Sequence, residues 1–283
     1  KRHAHCDVLV VGGGAAGLAA ALSAARSGAR VILADEQCQF GGALMRDDEI
    51  IDGEPAEKWL AACIDELKRY SNVQLLTRCT VTGYYDHNML AMVEQLWGRT
   101  GSDTASAGPV QRLWKVRARQ VVLATGAIER PLVFPNNDRP GIMQASAVRE
   151  YIRRYAVVPG YRIVVVTNNS DAYRTALEAH RAGLTITAIV DTRPEPNGTW
   201  VQRAKQVNLK ILNGYRVRDT RGYKGVRCVF VSPPDNSQAR IRLECDLVAI
   251  SGGWTPTVHL YSQNGGKLHY DENLACFRPQ ESD

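Results

Sequence analysis

No two cysteines are spaced C-x-x-C, although the chain has seven, at positions 6, 38, 63, 79, 228, 245 and 276. That absence excludes a zinc knuckle and a thioredoxin-type redox pair. An odd count in a chain of 283 residues argues instead for reduced thiols in a cytoplasmic setting. No uninterrupted apolar run reaches the roughly 20 residues that a membrane-spanning helix needs. A concentrated block of one charge is also missing. The formal net charge is +6, with Lys and Arg scattered except for short clusters such as Arg149, Arg153 and Arg154. A nucleic-acid-binding face would gather them, so the charge reads as ordinary surface or as a match for a partner with an acidic face. Residues 8–25 are apolar and Ala-rich like a signal-peptide core, but the glycines at 12–14 and 17 break that pattern. The first residue is Lys1, which suits a piece excised from something longer. Hydrophobic residues at 45% and charged residues at 23% are ordinary for a globular protein with one large or two medium domains.

What is present begins with "DVLVVGGGAAG" at residues 7–17. Asp7–Val11 reads as a short buried parallel strand ended by glycine. Leu18–Ser27 is Ala-rich and reads as a helix stopped by Gly28, and Arg30–Ala34 is a second strand running into Asp35 and Glu36. This β-α-β unit of about 30 residues is the context that a G-x-G-x-x-G fingerprint requires. Gly12 allows the tight turn, Gly14 lets the backbone approach a diphosphate, and Gly17 lets the helix pack on the sheet. The helix start at Ala15 and Ala16 offers N–H groups and partial positive charge to phosphates. Asp35 follows Gly17 by 18 positions. A carboxylate there accepts hydrogen bonds from ribose hydroxyls and repels a 2′-phosphate, which selects NAD or FAD over NADP, and Glu36 strengthens the repulsion.

Gly41-Gly42 with Ala43 forms a second close-approach turn. No cysteine pair follows it, so disulfide reductase chemistry is excluded. Pro55–Tyr70 is a helix with Trp59, Leu60, Cys63, Ile64 and Leu67 on one face. Strands follow at 73–76, 79–85, 89–97, 112–117 and 120–124, with "GRTGSDTASAGP" (98–109) as an exposed hairpin loop. "VVLATGA" (121–127) ends on a small-residue turn, which adds Thr125 and Gly126 to the candidate contacts.

The pattern then restarts, with a helix at 144–157, a strand at 162–167, a helix at 171–182 and a strand at 185–191. Where a nicotinamide domain would carry glycines, this second unit has "TNNSDAY" (167–173). Ser170 or Asp171 can cap its helix, and Asp171 places negative charge where phosphate would sit. A degenerate nucleotide fold kept for packing accounts for this better than a second nucleotide site. Strands at about 214–220, 224–232 and 239–245 form a meander, and "DLVAISGG" (246–253) reads as a return to the first sheet. Tyr84-Tyr85-Asp86-His87-Asn88 looks like an active-site cluster, but Asp-His-Asn after a strand is also a good turn, and that reading is favoured. His3 and His5 read as terminal and non-ligating.

"GYYDHN", "VVLATGAIERPLVFPNNDRPGIM" and "SGGWTPTVHLYSQ" together resemble the α subunit of heterotetrameric sarcosine oxidase, over nearly the whole chain. The resemblance implies a glutathione-reductase-type α/β fold of two Rossmann-like lobes with small antiparallel meanders. The first lobe takes 1–130 and 246–283, and the second, degenerate lobe is inserted as 131–245. It implies NAD bound by the α subunit, with contacts from Ala16, Asp35, Glu36, Gln37, Ala43 and Val81. Ala43 usually appears as Thr in that family. It further implies a β subunit carrying FAD, a covalent FMN at the interface, smaller subunits, and tetrahydrofolate bound by a region outside this sequence. The complete complex would oxidise sarcosine to glycine and formaldehyde, making hydrogen peroxide. No catalytic base, nucleophile or metal site is assigned within the chain. Related opine, hydroxyproline and proline dehydrogenase subunits share the architecture and hold FAD at the same turn, so FAD is the alternative cofactor. Two other readings stand beside this one: a self-contained flavoenzyme that oxidises NADH, and a non-catalytic scaffold lobe stabilised by its nucleotide.

Overall fold

Val31–Ala34 is buried at all four residues, so it has no solvent face and must sit between other strands. It pairs in parallel with the end of Arg2–Val11, from Val8 beside Val31 to Val11 beside Ala34. The connection is the helix Ala15–Arg26, whose alanines favour helix and whose Gly17, Leu18, Ala21 and Ala25 are buried. It stops before Gly28, which takes a left-handed φ of 83°. The computed structural model describes residues 1–96, 109–235 and 240–280. The expected loop at 98–109 lies, apart from Pro109, outside the described residues.

The chain divides into two units, Lys1–Ala127 with Pro256–Asp283, and Ile128–Thr255. The first unit holds a six-stranded sheet in the order Val73–Leu76, Val31–Ala34, Arg2–Val11, Gln111–Leu123, Met89–Gln95, Cys79–Tyr85. The first four strands run parallel and the last two fold back antiparallel. The expected strands at 112–117 and 120–124 are one continuous strand, Gln111–Leu123, whose residues 114–123 pair with Arg2–Val11. The helix Ala56–Arg69 buries Ala56, Leu60, Cys63 and Leu67 at helical spacing, with Trp59 and Ile64 half-buried beside them. Glu57 in its first turn and Lys68 and Arg69 in its last complement the helix dipole.

The second unit holds a five-stranded parallel sheet in the order Ile142–Gln144, Leu247–Ser251, Arg162–Thr167, Thr185–Asp191, Ile211–Asn213. Its helices are Ala145–Tyr155, Ala172–Arg181 and Thr199–Gln206, the last of which the sequence did not signal. The meander of Arg216–Arg221, Cys228–Ser232 and Ile241–Glu244 lies where it was expected. The strand at 246–253 corrects the sequence reading. Leu247–Ser251 does not return to the first sheet but pairs on both sides inside the second. The second unit therefore runs to Thr255 rather than 245, and begins at Ile128 rather than 131. A strand buried at every residue carries no pattern that names its sheet. Among the described residues no helix is long and apolar enough to cross a membrane.

Candidate dinucleotide site

The first strand ends level with its two neighbours, since Val11 stands beside both Ala34 and Leu123. The three segments that leave this sheet edge carry most of the candidate residues. In the first segment, the glycines differ in what holds them. Gly12 has φ 101°, and a Cβ there would collide with the carbonyl of Ala124. A Cβ at Gly17 would collide with the carbonyl of Gly12. Those two glycines are required by the protein's own packing. Gly14 has ordinary dihedrals (φ −75°, ψ −174°), and a Cβ there would meet nothing within 4 Å. Its bareness answers no contact in the chain. The open space over Gly14 leaves room for a diphosphate to approach the backbone. The helix beginning at Ala15 and Ala16 has no side-chain cap and no acidic residue in its first turn, so its dipole is left for an anion.

The second segment straps onto the first. Asp35 is buried, and its carboxylate accepts the Gly13 N–H at 2.5 Å and the Gln37 N–H at 2.7 Å. Each oxygen keeps a second lone pair for a sugar hydroxyl. Gly41 donates to the Gly13 carbonyl at 2.8 Å, and Phe40 is buried against Gly13. A Cβ on Gly42 would lie 3.1 Å from the Gly14 Cα, so the two glycine turns touch. Glu36, Gln37, Gly42 and Ala43 are exposed around this contact. The Cys79 N–H donates to the Asp35 carbonyl at 2.8 Å, which brings half-buried Val81, two residues on, to the same edge. In the third segment, Ala124 donates to Val11 at 2.8 Å and places Thr125 and Gly126 after it. The Thr125 hydroxyl donates to the Thr257 carbonyl at 2.7 Å, and the Thr257 N–H returns to Gly126 at 2.9 Å.

Sequence reasoning missed Gly13, Phe40 and Thr257. Gly13 occupies the variable position of the fingerprint, and its N–H matters only once Asp35 is beside it. Thr257 is 132 residues from Thr125, a separation at which no local pattern exists.

The corresponding edge of the second unit is closed by its own side chains. The Asn169 amide donates to the Ser251 hydroxyl at 3.0 Å, and the Asn168 amide donates to the Gly252 carbonyl at 3.3 Å. Neither Ser170 nor Asp171 caps the following helix. Asp171 stands at the cap position in helical conformation without a side-chain cap bond, and its carboxylate accepts buried Arg149 at 3.2 Å. Asp191, where a ribose-binding acid would stand, is fully buried. It accepts the Tyr173 hydroxyl at 2.7 Å and the Arg193 guanidinium at 3.0 and 2.7 Å.

Tyr84–Asn88 forms a turn. His87 and Asn88 are left-handed, the Met89 N–H donates to the Asp86 carbonyl, and the Tyr84 hydroxyl donates to Asn88 at 2.8 Å. Among the described residues no group of His, Cys, Asp and Glu is arranged to hold a metal ion. Burial pushes the Cys6 thiol up to about 11 and the Cys245 thiol up to about 12, which keeps both protonated and unreactive.

The chain is 41% identical to the α subunit of the sarcosine oxidase of Rhizobium meliloti over 98% of its own length and 27% of that protein. It is 27% identical to an opine oxidase subunit of Agrobacterium tumefaciens, over 96% of this chain and 57% of that one. The chain thus spans about a quarter to rather more than half of these relatives. Its fold is similar to the L-proline dehydrogenase of P. horikoshii, with a TM-score of 0.73 at 20% identity, over 100% of this chain and 49% of that one. The model of the pyridine nucleotide-disulphide oxidoreductase family matches residues 6–275. That match over nearly the whole chain, together with the similarity to sarcosine oxidase α subunits, shows that the chain belongs to the pyridine nucleotide-disulphide oxidoreductase family.

Proposed function

We propose that the glycine turn holds an adenine dinucleotide, that this dinucleotide is NAD, and that the chain is the NAD-binding portion of a sarcosine-oxidase-like α subunit. The open space over Gly14 carries this reading, because packing accounts for Gly12 and Gly17 and for nothing at Gly14. Gly12, Gly14, Ala15, Ala16 and Gly17 would receive the diphosphate through backbone N–H groups. Asp35 would accept from the ribose with its remaining lone pairs, and Glu36 would exclude a 2′-phosphate. Gln37, Gly42, Ala43, Val81, Thr125 and Gly126 would complete the contacts. A nicotinamide dinucleotide supplies hydride-transfer chemistry. Every residue named here binds or positions, and none is assigned a proton-transfer role.

The complete complex, with β-like and smaller partner subunits bearing FAD and FMN, would convert sarcosine, oxygen and water to glycine, formaldehyde and hydrogen peroxide. Tetrahydrofolate would take the one-carbon unit through a region outside residues 1–283. Seven free cysteines support a cytoplasmic setting for this part of it.

The test is the spectrum of whatever the purified protein releases on denaturation. Absorbance at about 260 nm alone supports NAD, whereas a band at about 450 nm replaces NAD with FAD, as expected for a protein of the dehydrogenase type. Release of no nucleotide, with no binding when NAD or FAD is added back to native protein, overturns both.

A further inference from the structure

An open cavity of about 690 Å³, lined by exposed side chains, lies at the surface of the first unit. His5, Arg30, His87, Arg117 and Arg119 line it, together with buried Cys6 and Ala118. His5 and Cys6 precede Val11 by five or six residues, roughly 18 Å of strand, so this cavity is separate from the glycine turn.

Strand register explains the grouping. His5 stands beside Arg117 in the parallel pair, so the imidazole and the guanidinium share one face of the sheet. Arg30 immediately precedes the neighbouring strand, and His87 sits in the hairpin between Tyr85 and Met89. Among the described residues no carboxylate lines the cavity. Asp7 holds two of the arginines, Arg30 at 3.1 and 3.2 Å and Arg119 at 3.5 Å. The side chains of His5, His87 and Arg117 make no hydrogen bond or ion pair among the described residues.

The hairpin adds an independent observation. His87 and Asn88 adopt φ 57° and 51° in succession. Turns of that hand favour Asn and Gly, and a histidine there costs stability. The turn itself does not ask for an imidazole at position 87.

We propose that this cavity binds a small polyanion through phosphate or carboxylate oxygens. Arg117 presents a planar fork of donors that matches either group, with the imidazoles and the Asp7-held arginines around it.

Calorimetric titration with inorganic pyrophosphate, and separately with citrate, tests this. The Gly14→Glu protein is the background, because that substitution blocks the glycine turn as a phosphate site. It should bind one anion per chain, and the tighter probe identifies the oxyanion class. Adding Arg117→Gln or His87→Gly should weaken binding at least about tenfold. His87→Gly should at the same time raise the Tm, since glycine fits the left-handed turn. In wild-type protein, Arg117→Gln should lower the number of pyrophosphate sites by one, which gives the same answer if Gly14→Glu fails to fold. Absence of binding in a folded Gly14→Glu protein overturns the proposal. So do affinities that stay within about twofold after Arg117→Gln and His87→Gly.

Discussion

At Gly12 and Gly17 an added methyl group would run into backbone carbonyls, while at Gly14 it would enter open space. Gly12→Ala and Gly17→Ala should therefore each cost about 2–3 kcal/mol or more in urea denaturation, because backbone on both sides must move. Gly14→Ala should stay within about 0.5 kcal/mol of wild type. Gly14→Glu should fold and lose its nucleotide, so stability and ligand retention separate cleanly at one position. Asp35 behaves differently because it works before any ligand arrives. Asp35→Ala leaves the Gly13 N–H without its acceptor and should cost about 1–3 kcal/mol in the ligand-free protein, in addition to abolishing retention. At Asp7 the hydrogen bonds from Arg30 hold the carboxyl at about 2, below its ordinary 3.8. Folding thus favours the ionised form, so the stabilisation is present above pH 3.8 and is lost as the pH falls toward 2. The Tm gap between wild type and Asp7→Asn should close across that window. The fingerprint glycines and Asp35 were legible because their spacing is local. The strap from Asp35 to the Gly13 N–H was not, because it joins residues 22 apart across two strands.

Both β-α-β elements were legible from apolar runs, breakers and spacing, yet they do different things with the same edge. In the first, the anion position is bare. In the second, Asp191, Tyr173, Arg193 and Asp171 are held by bonds within the protein. Tyr173→Phe should then cost about 1–2 kcal/mol, since a buried carboxylate loses a donor. It should leave the amount of copurifying nucleotide unchanged, as quantified after denaturation. A fall in bound nucleotide would mean that the second edge takes part in binding. Element boundaries were least legible where burial is complete. Leu247–Ser251 shows only that it is buried, and its partners Ile142–Gln144 and Arg162–Thr167 lie about 80 to 105 residues upstream in sequence.

The unit Ile128–Thr255 is contiguous in sequence and has two apolar clusters of its own, one under each face of its sheet. Residues 128–255 expressed alone should therefore unfold in one cooperative transition by circular dichroism, as a self-contained domain does. The first unit is assembled from two segments, and Leu260 from the second packs into its core with Trp114 and Leu90. Residues 1–127 alone should lack that closure and melt at lower temperature than the whole chain. A non-cooperative melt of 128–255 would show that its core is incomplete without the first unit.

The sequence by itself determined the fold class, the first β-α-β unit and the acidic strand end, and it showed that glycines are missing from the second unit. These are properties of short windows, where period, propensity and steric permission are written residue by residue. The tertiary structure alone decided which sheet receives Leu247–Ser251, what holds the bare turn in shape, and that His5, His87 and Arg117 face one cavity. Each of those depends on strand register or on the pairing of buried polar groups across long separations, and neither leaves a period in the chain for a reader to find.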